Sequence, residues 1–453
     1  MKATNPATNK PIKEYDDHTD EEVRQMIERA HRAYREGLDE TIASRAAKMK
    51  RAGEVLRERR ETYANLMVAE MGKPIAQARG EIDKCAWVCD YYAENAELFL
   101  ADEPIETDAA KSYVAFRPIG VVLAVMPWNF PFRQVFRFAA PALTAGNAGI
   151  LKHASNVPGC ALAIEECFRD AGFSPDLFGT ALVPSKRVEP IIRHPLVRAA
   201  TLTGSTPAGK AVARIAGEEL KKTVLELGGS DPYVILEDAD LEAAAETCAT
   251  SRLINGGQSC IAAKRFIVVE AAYDEFREKF LAAMKAKKMG DPTDEASDLG
   301  PQATSALRDE LHEQVRQSVE KGATVPLGGE VPEREGAWYP PTVLEKVERG
   351  MPAFDDELFG PVAPLIKVAD EEAAIEAAND TPFGLGAAVF TRDEARGERI
   401  AKERFDAGAC FVNAFVKSDP RLPFGGVKES GYGRELSAFG MREFLNVKTV
   451  YVA

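Results

Sequence analysis

Three side chains, far apart along the chain, sit in settings that suit covalent chemistry. Cys260 ends the run Asn255-Gly256-Gly257-Gln258-Ser259, where a Gly-Gly turn lets backbone approach a small molecule closely. A thiolate there is a strong nucleophile that also leaves readily; the same thiol in apolar surroundings is inert packing. Glu226 lies in the apolar run Val224–Leu227 and is followed by Gly228-Gly229. Desolvation at such a strand end raises a carboxyl pKa and suits a general base near neutral pH, whereas a solvated strand-end glutamate has no such role. Asn129 falls between two prolines in Pro127-Trp128-Asn129-Phe130-Pro131. Taken alone it is a turn residue.

A fourth segment, Leu202-Thr203-Gly204-Ser205-Thr206-Pro207-Ala208-Gly209, joins an apolar run to an amphipathic one. Ser205 or Thr206 can cap a helix there, Pro207 suits its first turn, and the bare amides can receive a pyrophosphate. Taken alone, it is also an ordinary turn and cap.

Positioning these groups requires a framework of strands. Val121–Val125, Gly149–Leu151, Ala199–Leu202, Val224–Leu227, Tyr233–Leu236, Phe266–Val269 and Ala387–Phe390 are short apolar runs alternating with amphipathic stretches. That alternation predicts parallel strands with crossover helices, an α/β protein with ligands at strand carboxyl ends. The first hundred residues read as largely helical, with a helix start at Thr19 or Asp20. Ser112–Phe116 and Val447–Tyr451 read as strands flanking the core, whose edges need a cover such as a partner subunit.

These four segments, with Glu357-Leu358-Phe359-Gly360-Pro361 and Pro423-Phe424-Gly425-Gly426, occur in the order and at the separations of the aldehyde dehydrogenase superfamily. The sequence resembles that family over nearly its whole length. The resemblance implies two Rossmann-like open-sheet domains and a small β oligomerisation arm: a dinucleotide-binding domain at 1–103 and 119–228, a catalytic domain at 229–440, and the arm at 104–118 and 441–453. It implies Cys260 as nucleophile, Asn129 and the Cys260 backbone N–H as oxyanion donors, and Glu226 as the base that hydrolyses a thioester. Trp128, Lys152, Ser155, Gly204, Ser205, Gly228, Glu357 and Phe359 then bind NAD or NADP, with Glu357 on the nicotinamide ribose and Phe359 against the ring. No metal is implied. NAD-preferring members commonly carry a glutamate where this chain has Ser155, in Lys152-His153-Ala154-Ser155; a neutral donor in place of a carboxylate predicts NADP preference. Lys186 and Arg187 can assist in holding the 2′-phosphate.

Arg133, Arg137 and Arg252 flank the motifs and can grip a distal carboxylate. Arg137, eight residues past Asn129, falls where succinate-semialdehyde dehydrogenases place a substrate arginine, and Ser418 near their substrate serine. Bacterial members of that group resemble this chain most, so succinate semialdehyde is the expected substrate. Glutarate semialdehyde or a general aliphatic aldehyde is the alternative. An inactive binding protein of the same fold and a cofactor-free thioester hydrolase are further readings. Two departures stand out: Ile254 replaces a second arginine, and Ala262 replaces the second cysteine of a disulfide switch.

Length and charge bound the remainder. A chain of 453 residues exceeds one ordinary core, and a net charge of -14 disfavours nucleic acid as a partner. The polar start carries no leader pattern and no run is long and apolar enough to span a membrane. Seven scattered cysteines suggest reduced thiols. A cytoplasmic homodimer or homotetramer is expected, and the five histidines match no catalytic position.

Overall fold

The computed structural model describes residues 1–453. A hairpin of Lys2–Asn5 with Lys10–Glu14 opens the chain and precedes the helices expected for the first hundred residues. Thr19 caps the first of these, Asp20–Glu36, in a reciprocal box: its hydroxyl accepts from Glu22 N–H at 3.2 Å, while the Glu22 carboxylate accepts from Thr19 N–H at 2.7 Å. Cys85 and Cys89 lie fully buried in the long helix Ile75–Phe99, as packing thiols.

Two open sheets follow. The first runs, in spatial order, Gly431–Tyr432, Lys222–Glu226, Val197–Thr203, Val121–Met126, Ala148–His153 and Phe178–Thr180. All pairs are parallel except the short Gly431–Tyr432 strand, a distant segment that closes the edge antiparallel to Lys222–Glu226. Strand order reverses between Val121–Met126 and Val197–Thr203, and a crevice forms at such a reversal.

The second sheet runs Thr324–Leu327, Thr342–Glu345, Val362–Val368, Ala263–Val269, Asp231–Ile235, Gly386–Phe390 and Ala409–Val412, antiparallel only at its first pair. One apolar cluster contains Val122 and Ala124 of the first sheet together with Tyr233, Val234 and Phe266 of the second, so the sheets share a core. A third sheet pairs Leu445–Val452 with Lys111–Pro118 in unbroken antiparallel register and adds Glu103–Pro104. Its outer strand exposes Val447, Tyr451 and Val452. No helix is long and apolar enough to cross a membrane.

Candidate active site

The carboxyl ends of the first sheet face the amino ends of the second across a cavity of about 290 Å³. From the first sheet come Trp128 and Asn129, then Gly204 and Ser205, then Gly228; Cys260, Glu357 and Phe359 each precede a strand of the second. Strand carboxyl ends therefore supply only one wall, because the second sheet is entered from the opposite end.

The loop that carries Cys260 is built from strained backbone. Asn255, Gly256 and Gly257 have φ of 55°, 62° and 76°, a left-handed run that asparagine and glycine tolerate best. A Cβ on Gly257 would lie 2.2 Å from the Gly360 carbonyl carbon, which is why two glycine motifs far apart in sequence occur together. Asn255 Nδ2 donates to the carbonyls of Asn129 at 2.7 Å and of Gln258 at 3.1 Å. Asn129 Nδ2 donates to that same Gln258 carbonyl at 3.1 Å. Lys264, buried, holds the far side of the loop by donating to the carbonyls of Ser259 at 2.8 Å and Cys260 at 2.7 Å. The Cys260 N–H donates to no protein acceptor, so it and the Asn129 amide can meet an oxyanion.

Electrostatics set the resting state. Burial pushes the Cys260 thiol up to about 11 against the pull of Arg137 and Lys264, so it rests protonated at neutral pH. Glu226 is 2% exposed and neither of its oxygens has a hydrogen-bond partner. Burial and the nearby Glu435 hold its carboxyl well above the usual range, with Arg137 opposing. Gly425, at φ 155°, makes the room: a Cβ there would sit 2.8 Å from Glu226 Oε1. An unpartnered buried carboxylate of raised pKa beside a thiol can take and hold a proton.

The other walls fit a dinucleotide. Ser205 stands at the N-cap of helix Thr206–Glu218 and its side chain makes no cap bond, leaving hydroxyl and helix amides free for phosphate. A Cβ on Gly228 would lie 2.6 Å from Glu357 Oε2. Glu357 pairs with Lys264 at 3.1 Å, yet its Oε1 lacks a well-aligned donor, as a carboxylate awaiting ribose hydroxyls would. Phe359 meets Trp128 edge-on, with centroids 5.7 Å apart. Farther along, Lys152 is buried and donates to Ser185 at 3.2 Å, while Ser155 is exposed with no acidic side chain bonded to either. Arg187 is engaged by Asp20.

The arginines divide. Arg252 is fully buried behind the loop, donating to the Gly257 carbonyl at 2.7 Å, and lines no part of the cavity. Arg137 Nε lies 2.6 Å from Glu435 Oε2, both buried, but the alignment leaves Nε and Nη2 without a formed hydrogen bond. Ser418 meets Arg133 rather than Arg137. Residues the sequence reading passed over are Glu435, Lys264, Asn255 and His153. Burial pushes His153 down to about 4, and its neutral ring donates from Nε2 to the Pro131 carbonyl at 2.9 Å, steadying the Asn129 turn. Only the Lys152-His153 adjacency hinted at it.

Residues 1–450 match the model of the aldehyde dehydrogenase family. The chain belongs to that family. It is 50% identical over 454 residues to a Mycobacterium tuberculosis protein named succinate-semialdehyde dehydrogenase [NADP(+)] 1, covering 99% of each. It is 49% identical to the Mycobacterium leprae succinate-semialdehyde dehydrogenase [NADP(+)], again over 99% of each chain. The crystal structure of Streptococcus pyogenes succinic semialdehyde dehydrogenase in complex with NADP+ superposes with a TM-score of 0.97 at 38% identity, over 100% of this chain and 99% of that one. The family's fold is thus reproduced from end to end.

Proposed function

We propose that this aldehyde dehydrogenase oxidises succinate semialdehyde to succinate with NADP+, and that Cys260, Asn129 and Glu226 perform the steps. The observation that carries the reading is the meeting, around one cavity, of a nucleophile, an amide donor and a nucleotide loop, with an unpartnered carboxylate acting on the thiol. The substrate and NADP+ are taken from the full-length relatives and from the arginines near the site.

Proton transfer from Cys260 to Glu226 leaves a thiolate, which adds to the aldehyde carbon. Negative charge on the former carbonyl oxygen meets Asn129 Nδ2 and the Cys260 N–H. A nicotinamide held by Glu357 and Phe359 would supply the hydride acceptor, and loss of hydride from the adduct on Cys260 leaves a thioester there. Glu226 gives up the thiol proton to solvent and then takes one from water; the resulting hydroxide adds to the thioester carbonyl, the carbon–sulfur bond breaks, and succinate leaves as Cys260 departs as a thiolate that recovers the proton from Glu226.

Lys152, Ser155 and Ser185 surround the place for the adenine ribose, where a missing carboxylate favours a 2′-phosphate. Trp128, Gly204, Ser205, Gly228, Glu357 and Phe359 hold the rest of the cofactor. Arg137, with buried donors unfilled, and Ser418 face the substrate's far carboxylate. Residues 1–103 with 119–228 serve the cofactor, 229–440 the chemistry, and the arm of 104–118 with 441–453 pairs copies into a dimer or tetramer, covering its exposed apolar edge. The seven unpaired cysteines suit the cytoplasm.

The test is a substrate and cofactor panel. A kcat/KM for succinate semialdehyde at least tenfold above butanal, and for NADP+ above NAD+, is expected. Equal values for the charged and uncharged aldehydes would refute the substrate.

A further inference from the structure

We infer that Arg133, acting with Ser418 and Lys84, is a second specificity determinant for the substrate's distal carboxylate, occupying the space that an arginine at position 254 would otherwise fill. The inference rests on the proposed semialdehyde substrate and adds a residue to its recognition.

A second cavity, of about 350 Å³, is lined by Phe130, the residue after Asn129. Ile254 and Arg133 both line it, so a guanidinium at either position would face the same space. Arg133 begins the helix Arg133–Thr144, one turn before Arg137, which places the two arginines on one face. Its Nη2 meets Ser418 Oγ, and its guanidinium packs 5.4 Å from the Phe130 ring centroid. It forms no ion pair. Its guanidinium is desolvated, and Arg137, Glu81 and Cys260 are among the groups whose charge acts on it.

The acidic groups nearby are already occupied. Glu81 Oε1 accepts the backbone N–H groups of Phe132 and Arg133, each at 3.0 Å, and its Oε2 meets the buried Lys73. Asp298 accepts from Lys288 N–H at 2.9 Å. Lys287, on the cavity wall, is paired with Glu246 at 2.9 Å. Lys84, also on that wall, forms no ion pair; burial and the adjacent Arg133 push its ammonium down to about 7 against the pull of Asp419, which is itself paired with Arg421 at 2.7 Å. Lys84 is held partly neutral beside Arg133, and an anion between the two would draw its proton back and relieve the crowding. Arg137 is different, because Glu435 already balances its charge. A carboxylate entering here therefore gains most from Arg133, whose planar fork can hold it while the Ser418 hydroxyl donates alongside.

The experiment compares succinate semialdehyde with butanal, of equal carbon length and uncharged, in wild type, Arg133→Leu, Arg133→Lys and the double variant Arg133→Leu/Ile254→Arg. Succinate is added as an inhibitor against butanal. Arg133→Leu is expected to lower kcat/KM for the semialdehyde at least tenfold more than for butanal, chiefly through KM, and to weaken succinate inhibition about as much. Ile254→Arg should restore much of both, because it returns a guanidinium to the same cavity. Arg133→Lys should fall between, and it keeps the test open if the leucine variant does not fold. Equal losses for the two aldehydes, or unchanged succinate inhibition, would overturn the inference. A wild type that does not prefer the semialdehyde would instead sink the substrate assignment.

Discussion

The side-chain amide of Asn255 donates to the backbone carbonyl of Asn129 at 2.7 Å, tying the proposed oxyanion donor to the loop that carries Cys260. The contact spans 126 residues of chain. It is made by a residue whose left-handed backbone favours asparagine or glycine. Asn255→Gly keeps that backbone and removes the amide, while Asn255→Asp keeps the shape and removes the donor. Both are expected to cut kcat about tenfold or more, from the loss of a buried hydrogen bond worth roughly 1–3 kcal/mol, with a smaller change in KM. Steady-state kinetics with a stability control check this; wild-type kcat in Asn255→Gly would show that the tie is dispensable.

Glu226 is expected to set the acid limb of turnover. Its carboxyl sits well above the ordinary range because of burial and Glu435, and only the ionised form can accept a proton. Activity should therefore fall as pH drops through that raised value, well above the roughly 4.3 of a free glutamate. Glu435→Gln removes the repelling charge and leaves Arg137 unbalanced, both of which favour ionised Glu226. The limb should move to lower pH. A pH profile of kcat for both enzymes checks the sign, and an upward shift would contradict it.

Gly425 faces Glu226 so closely that an added methyl would lie 2.8 Å from Oε1, at a φ of 155°. Gly425→Ala should displace the base and slow release of the acyl group more than its formation. Stopped-flow traces would then show a burst of reduced cofactor followed by a slow steady state. A slowed burst with unchanged steady state would place the damage elsewhere.

Ser155 is exposed, and no acidic side chain is hydrogen-bonded to it or to Lys152. Ser155→Glu should lower kcat/KM for NADP+ about tenfold relative to NAD+, since a carboxylate repels the 2′-phosphate and accepts from ribose hydroxyls; screening at an exposed position limits the size. Kinetics with both cofactors at two salt concentrations check this. An unchanged ratio would remove Ser155 from cofactor choice.

Much of the proposed site was legible because its residues sit in short motifs. Cys260, Glu226 and Asn129 each carry neighbouring glycines or prolines whose purpose the structure explains, and the apolar runs around 121–125 and 233–236 became strands as expected. Groups that act across the fold left no such trace. Glu435 reaches Glu226 and Arg137 only because Gly431–Tyr432 returns to pair beside Glu226. Lys264 resembles any strand lysine until its ammonium is seen to hold the Cys260 carbonyl. Arg252 shows the reverse: proximity in sequence to the nucleophile suggested contact with substrate, but its helix turns it into the core.

Intact mass and peptide mapping of Glu226→Gln after rapid mixing with NADP+ and succinate semialdehyde test the covalent route most directly. Because the variant lacks the acceptor of the thiol proton, the group should form slowly, from the small fraction of Cys260 already ionised, and then persist: one succinyl group per chain should accumulate, carried on the peptide that contains Cys260, and should be absent from a Cys260→Ser control. Normal turnover without that adduct, or an acyl group on any other residue, would contradict the assignment of Cys260 as nucleophile and Glu226 as base.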